Sequence, residues 1–374
     1  MGNKLKSGYT TGSCCTAAIV AGLNYLFYNR KLENIKLNTL NDKKITIPII
    51  KLRKRNKFVT AGVKKYSGDD PDVTNGIEIY AKIKIVEKLK KDEAGYLIGN
   101  SLITCGKGIG RVTKKGLRCE VGKYAINPGP LEMIEIALNT FLDNRKDIYL
   151  EIMLYIPKGR EISKKTFNPK LGIVDGISIL GSTGILNPMS EEALKDSLYV
   201  EMKVLKENSE KDYIVFVFGN YGKKYCKEIG LDTSNLIVIS NYVGYMLEIA
   251  KELQYKKIIV VGHIGKAIKI AGGIFNTHSK IADARMEIMG ANAFINGESN
   301  ENVMRVLKSN TVEEACGYIE NNKFFFKIAN KVSEKIKNYL KTDEVECEVL
   351  LFSFKENILG YSDKFYKLIE EVKK

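Results

Sequence analysis

The stretch DYIVFVFGNYGKKYCKEIG, residues 212–230, decides how the chain is read. Its unbroken apolar run has the length of a strand buried on both faces. Gly219 then turns the chain into a segment with helical spacing. The same order returns in NLIVISNYVGYMLEIAKELQY, residues 235–255, and in KKIIVVGHIGKAIKIAGG, residues 256–273. Successive strand, glycine turn and helix units imply parallel strands joined by crossover helices. A Rossmann-like α/β domain over residues 191–374 follows. The segments VECEVLLFSF (345–354) and DKFYKLIEEVKK (363–374) add a further strand and helix.

Residues 1–190 have another character. KKITIPIIKL (43–52) and GIEIYAKIKIVEKL (76–89) alternate like half-buried strands, within strand-like segments 34–50 and 77–90. Residues 13–28 read as a helix that is apolar on nearly all sides, hence buried. PGPLEMIEIALNTFL (128–142) reads as a second helix, with proline in its first turn and an apolar stripe of Leu131, Ile134, Leu138 and Phe141. Strands with a few covering helices make this an α+β domain. The stretch GSTGILNPMSEEALKDSL (181–198) is the junction.

Bulk properties narrow the class. A chain of 374 residues, 44% hydrophobic and 28% charged, has room for two globular cores. No apolar run reaches membrane-spanning length, and the start has no signal-peptide core. The seven cysteines are scattered without the spacing of a zinc site or a disulfide framework. These features point to a cytoplasmic protein with reduced thiols. The net charge is +15, carried by 50 Lys and 9 Arg. Lysine spread along the chain reads first as surface composition, and next as complementarity to an anionic small molecule. A nucleic-acid binder would use more arginine and exposed aromatics, and there is no Trp. Self-association is left open.

Several segments carry chemistry. In KSGYTTGSCC (6–15), Thr11 or Ser13 can cap the helix, and the surplus hydroxyls and glycines suggest that the remaining N–H groups meet an anion. GDDPDVTNG (68–76) gathers Asp69, Asp70 and Asp72, which suits a cation, a base or simply a tight turn. GKGIGR (106–111) is no dinucleotide fingerprint, because no helix follows it, and GHIGK (262–266) is too short for a Walker A loop. Absence of G-x-G-x-x-G at any strand-to-helix turn also argues against a nicotinamide-dependent reductase. His263 and His278 are the only histidines, both in loops of the second domain. Thr277, His278 and Ser279 sit where a helix would begin, with Asp283 and Glu287 on one of its faces.

Taken together, GYTTGSC, GDDPDVTNG, GKGIGRVTKKGL, AINPGPLEMI, KKTFNPKLGIVDGISILGSTGILNPMS, GHIGKAIKIAGG and NTHSKIADARMEIMG resemble the cobalt-precorrin-5B C1-methyltransferases in order and spacing, over roughly residues 5–295. The resemblance implies methyl transfer from S-adenosylmethionine to ring carbon C1 of a polyanionic corrinoid in anaerobic cobalamin biosynthesis. Cobalt then arrives with the substrate, and no protein metal site is needed. Two positions depart from the family pattern: Asn75 stands where His is usual and Leu131 where Arg is usual, so neither a base nor an Arg–carboxylate contact is implied there.

Under this reading Thr10, Thr11 and Ser13 hold a ligand carboxylate. Lys114, Asn127, Lys165 and Asn168 are further substrate candidates. Asp70, His278 and Asp283 are candidates for any proton transfer. The cofactor candidates are Gly181, Ser182, Thr183 and Gly184 in one loop, Gly219, Asn220 and Gly222 in another, and His263.

Overall fold

The computed structural model describes residues 5–355 and 357–373. The chain divides into two compact units, Met1–Glu191 and Glu192–Lys374. In the first, a seven-stranded sheet runs in the order Asn34–Asn38, Lys44–Arg55, Phe58–Lys64, Glu78–Val86, Tyr149–Tyr155, Ser101–Cys105, Tyr96–Ile98. All neighbours are antiparallel except Tyr149–Tyr155 with Ser101–Cys105. The expected strand 34–50 is two strands, folded back at Thr39–Lys43 by the Thr39 hydroxyl and backbone.

Helix Thr11–Tyr28 lies on this sheet, with Thr11 through Ile19 fully buried. Its small residues allow the close approach. At Gly22 a Cβ would stand 2.7 Å from the Ile83 side chain. Helix Pro128–Leu142 packs beside it and buries Ile134, Leu138 and Phe141, while Leu131 is only half-buried.

The glycine-rich segments of this unit are joined to one another, backbone against backbone. Gly108–Ile109 pairs in parallel with Gly176–Ile177, Arg111–Val112 antiparallel with Ile173–Val174, and Gly8–Tyr9 antiparallel with Ile185–Leu186. The amide of Gly110 donates to Ile177 O at 3.0 Å, that of Ala125 to Gly110 O at 2.8 Å and that of Ile179 to Ala125 O at 2.8 Å. Gly108 has φ +85°, and a Cβ on it would collide with the carbonyl of Ile156. Only glycine takes that conformation at so close an approach.

The second unit carries a five-stranded sheet in the order Leu236–Val238, Tyr213–Val217, Lys257–His263, Glu346–Ser353, Asn357–Tyr361. The first four are mutually parallel and the last is antiparallel. The C-terminal segment therefore supplies two strands before its helix, Phe365–Lys373, where the sequence suggests one. Apolar side chains cover both faces. Ile214, Phe216, Ile258 and Val260 join one core with helices Val243–Glu252, Ile264–Ala271 and Phe324–Leu340, and Val215, Val217, Ile259 and Val261 join another with Phe365 and Leu368. Two-sided burial is why these strands read as unbroken apolar runs.

Replacing Gly108 by Ala forces both a strained φ and a backbone collision, so Gly108→Ala should lower unfolding free energy by on the order of 3 kcal/mol. Urea denaturation followed by circular dichroism checks this; an unchanged midpoint contradicts it.

Candidate functional site

The start of the first helix is capped by Thr10, not Thr11 or Ser13. Its Oγ1 accepts from Ser13 N at 3.2 Å and its carbonyl from Cys14 N at 3.1 Å. Gly12 N donates to Leu180 O at 2.9 Å. Thr11 Oγ1 accepts from Leu180 N at 2.7 Å, and Ser13 Oγ donates to Gly184 O. All three hydroxyl residues are buried. The Thr11 and Ser13 hydroxyls and the Gly12 amide are thus engaged with the 178–184 segment, and the Thr10 hydroxyl with Ser13. The glycines of that segment serve the same seam. Gly181, at φ +131°, faces the Thr10 side chain, and Gly184, at φ +83°, faces Ser13 Oγ. Ser182 is exposed, and the Thr183 hydroxyl donates to Ile185 O at 3.2 Å.

The acidic loop is organised by a group absent from the candidate list. Lys65 is buried and its ammonium meets Asp72 Oδ2 at 2.5 Å and Ser67 Oγ at 2.6 Å. Thr74 donates to Asp72 from both its amide and its hydroxyl, each at 2.7 Å. Burial pushes the Asp72 carboxyl up, but the hydrogen bonds and charge of Lys65 and the bonds from Thr74 outweigh it and hold it below the usual carboxylate range. Asn75 Oδ1 accepts from Ser67 N at 3.0 Å, a structural use of the position where the family pattern has His. Asp70 accepts from Met189 N at 2.8 Å and Asp69 from Lys6 N at 2.6 Å, tying the loop to both ends of the unit. The Lys65–Asp72 partnership has no short-range signature, because each residue reads alone as a surface charge.

Of the remaining substrate candidates, Lys114 lies against the segment that carries Lys165 and Asn168, and Asn127 stands apart from them at a helix start. Lys114 lies over Gly172 and donates to Lys170 O at 3.2 Å. Asn127 flanks the helix Pro128–Leu142 and accepts from Cys119 Sγ at 3.3 Å. Asn168 is buried, with Nδ2 on Gly176 O at 3.3 Å, and Lys165 is exposed.

In the second unit the strand order reverses between Tyr213–Val217 and Lys257–His263. In open parallel sheets the crevice at the carboxyl ends of two such strands is where ligands bind. Gly219, Asn220 and Tyr221 follow the first of these strands, and His263 ends the second. Gly222 packs the helix Asn220–Glu228 onto its strand, since a Cβ there would stand 2.7 Å from Val217 Cβ. A Cβ on Gly219 would meet no atom of the described residues within 4 Å.

His263 caps helix Ile264–Ala271: its Nδ1 accepts from Gly265 N at 3.0 Å, which leaves the ring proton on Nε2. Nε2 lies 2.5 Å from Glu313 Oε1, which also accepts from Phe354 N at 3.0 Å. Neither ring nitrogen is left for a ligand, so His263 positions Glu313 and Phe354. The Phe354 ring stacks on the imidazole at 4.3 Å and meets Tyr221 edge-on at 4.7 Å. Glu313 Oε2 is buried without a hydrogen-bond partner. Glu313 and Phe354 lie 50 and 91 residues beyond His263 in the sequence (313 − 263, 354 − 263), out of reach of any local motif.

The segment Thr277–Ala284 is irregular, with a single turn at Ser279–Ile281. Helix Arg285–Ile295 begins only after it, so Asp283 and Glu287 share no helix face, contrary to the sequence expectation. Lys269, buried on the preceding helix, donates to Thr277 O at 3.1 Å and Ala282 O at 2.6 Å and fixes this segment. His278 Nδ1 accepts from Lys280 N at 3.1 Å. Asp283 is gripped by Arg285 Nε at 2.7 Å and Nη2 at 3.1 Å, and those bonds hold its carboxyl below the usual range. A carboxylate so stabilised is a poor base near neutral pH. No group of three or more His, Cys, Asp or Glu side chains among the described residues is arranged to hold a metal ion. No helix among them is long and apolar enough to cross a membrane.

The chain belongs to the CbiD family: the family model described as CbiD matches residues 1–188, and that of the CbiD C-terminal domain matches residues 276–363. A relative from Fusobacterium nucleatum, named cobalt-precorrin-5B C(1)-methyltransferase, is 50% identical over 98% of both chains. Proteins of the same name from Clostridioides difficile and Methanocaldococcus jannaschii are 39% and 42% identical, covering 99% and 96% of this chain and 97% and 96% of their own. The crystal structure of the cobalamin biosynthesis protein cbiD from Archaeoglobus fulgidus, 25% identical, aligns over 76% of this chain and 84% of its own with a TM-score of 0.39, too loose a match to carry an argument.

The Asp72 carboxyl is lower in the folded than in the unfolded chain, so its contribution to stability is complete above the unfolded value near 4 and fades as pH falls through the folded one. Asp72→Asn should cost about 2–3 kcal/mol at pH 7, less than a fully buried pair because Asp72 is partly screened by solvent. Its stability should also drop less than the wild type's between pH 5 and 3. Urea midpoints across that range measure both effects, and parallel pH profiles contradict the assignment.

Proposed function

We propose that this chain transfers a methyl group from S-adenosylmethionine to ring carbon C1 of cobalt-precorrin-5B, in the cytoplasm, as a step of anaerobic cobalamin biosynthesis. The observation that carries the reading is the 50% identity, over 98% of both chains, to a protein named for that activity. The sulfonium supplies an electrophilic methyl. An electron-rich ring carbon forms the new C–C bond as the C–S bond breaks, leaving S-adenosylhomocysteine. Such a displacement gains chiefly from alignment and exclusion of water. The tied-up state of Asp283 fits a site that does not depend on a strong base.

We place the S-adenosylmethionine seat in the second unit, which we read as Rossmann-like on the strength of its parallel strands and the helices between them. Two features support the carboxyl ends of the two central strands as the seat. Tyr221 and Phe354 stand 61% and 55% exposed there, offering aromatic surface to a purine. Glu313 supplies a carboxylate oxygen with no partner of its own, an acceptor suited to a ribose hydroxyl. In this arrangement Gly219 and Gly222 let the backbone come close, and His263 fixes the Glu313 carboxylate.

Incubation with methyl-labelled S-adenosylmethionine and cobalt-precorrin-5B should move the label into the corrinoid. Phe354→Ala should weaken S-adenosylmethionine binding about tenfold, the loss of one stacking contact. A wild-type protein that leaves the label on the donor contradicts the reaction. Unchanged affinity in the variant contradicts the seat.

A further inference from the structure

The sheet of the first unit buries only one face against helix Thr11–Tyr28. Alternation along its strands sends Val59, Ala61, Val63, Ile79, Ala81, Ile83, Leu150, Ile152 and Leu154 to the buried side. Their neighbours point the other way, and the register aligns them in rows. Lys51, Gly62, Tyr80 and Tyr155 lie side by side across four strands, as do Arg53, Thr60, Lys82 and Met153. Arg55 stands opposite Phe58, and Lys84 opposite Glu151.

This face is basic toward its Lys44–Arg55 edge, with Tyr80 buried at its centre and its hydroxyl donating to the exposed Glu78 at 2.6 Å. Lys51, Arg53 and Arg55 are exposed, and Lys82 is half-buried. Lys84 is paired with Glu151 at 2.5 Å, but among the described residues Lys51, Arg53, Arg55 and Lys82 have no carboxylate partner. Two of them are steadied by rings instead: Lys82 Nζ sits 3.9 Å from the Phe58 centroid and Lys51 Nζ 5.6 Å from that of Tyr80. Tyr80 lies over Gly62, where a Cβ would strike its ring, and stacks on Tyr155 at 5.1 Å with 13° between the planes. Beyond Glu151 a cavity of about 790 Å³ opens, lined in part by Thr104, Arg111 and Glu151.

We propose that this open face grips the carboxylates of the corrinoid, an inference that rests on the function proposed above. The cations stand on two strands with Phe58–Lys64 between them, roughly 10 Å apart across the sheet at the backbone, and alternate residues of one strand are about 7 Å apart. Such a grid offers several anchoring points to a flat ligand whose acid groups ring its edge. Cations without an acidic partner, two of them resting on aromatic rings, are available to it without first breaking an ion pair.

Cobyrinic acid, a stable corrin with free carboxylates, and its uncharged heptamethyl ester are suitable probes. Wild-type protein should bind the acid more tightly than the ester, with affinity falling as salt rises. The double variant Arg53→Ala/Lys82→Ala should lose at least tenfold in affinity for the acid and show a flatter salt dependence, with unchanged melting temperature and unchanged S-adenosylmethionine affinity. Equal affinity of variant and wild type, or no binding of the acid by the wild type, overturns the inference. So does a face whose substitution abolishes oligonucleotide binding while sparing the corrin. A wild-type enzyme that methylates cobalt-precorrin-5B while the variant's KM for it is unchanged leaves the function intact and removes only this face from it.

Discussion

Main chain packed directly on main chain holds the first unit together where its glycine-rich segments meet. Gly108 rests against Gly176, Gly129 against Gly181, and Gly8 against Ser67. A side chain at most of these positions would push two segments apart, and the hydrogen bonds that link residues 108–112, 125 and 173–179 would be lost together. Helix Thr11–Tyr28 depends on the same seam. Its first turn closes against Leu180 and Gly184 through buried hydroxyls that would otherwise lack partners.

Electrostatics divides accordingly. The charges nearest the seam are internally compensated, Lys65 by Asp72 and the helix N–H groups by Thr10 and Leu180. Cations without acidic partners stand instead on the open side of the sheet. In the second unit the buried Lys269 is satisfied by the carbonyls of Thr277 and Ala282, and its charge shapes a loop. The chain's +15 is therefore not uniform in meaning. Some lysines order the fold and many are solvated.

Long-period signals were legible in the sequence. The two long helices of the first unit and the strand, turn and helix order of residues 212–271 follow from spacing of apolar residues alone, whereas the short helix Gly159–Ser163 does not. The resemblance to a methyltransferase family, carried by several motifs in order, was legible for the same reason that single motifs were not: each is short and has a structural use. Hydroxyls next to glycines look alike whether they meet a ligand or another loop. Which of the two obtains depends on residues 178–184, more than 160 positions beyond the Thr11–Ser13 turn they close. The His263, Glu313 and Phe354 cluster was hidden likewise, since it is assembled across separate strands and a helix. Asp283 was misplaced because a polar run before a helix gives no sharp signal of where the first turn begins.

Amide hydrogen exchange of the ligand-free protein tests most directly whether the glycine segments are framework or mobile ligand loops. The amides of Gly12, Gly110, Ala125 and Ile179 are each bonded to a carbonyl of another segment. If the seam is structural, all four should exchange only through global unfolding, as slowly as the central strands. Exchange at the rate of an open chain in the folded protein would contradict the account.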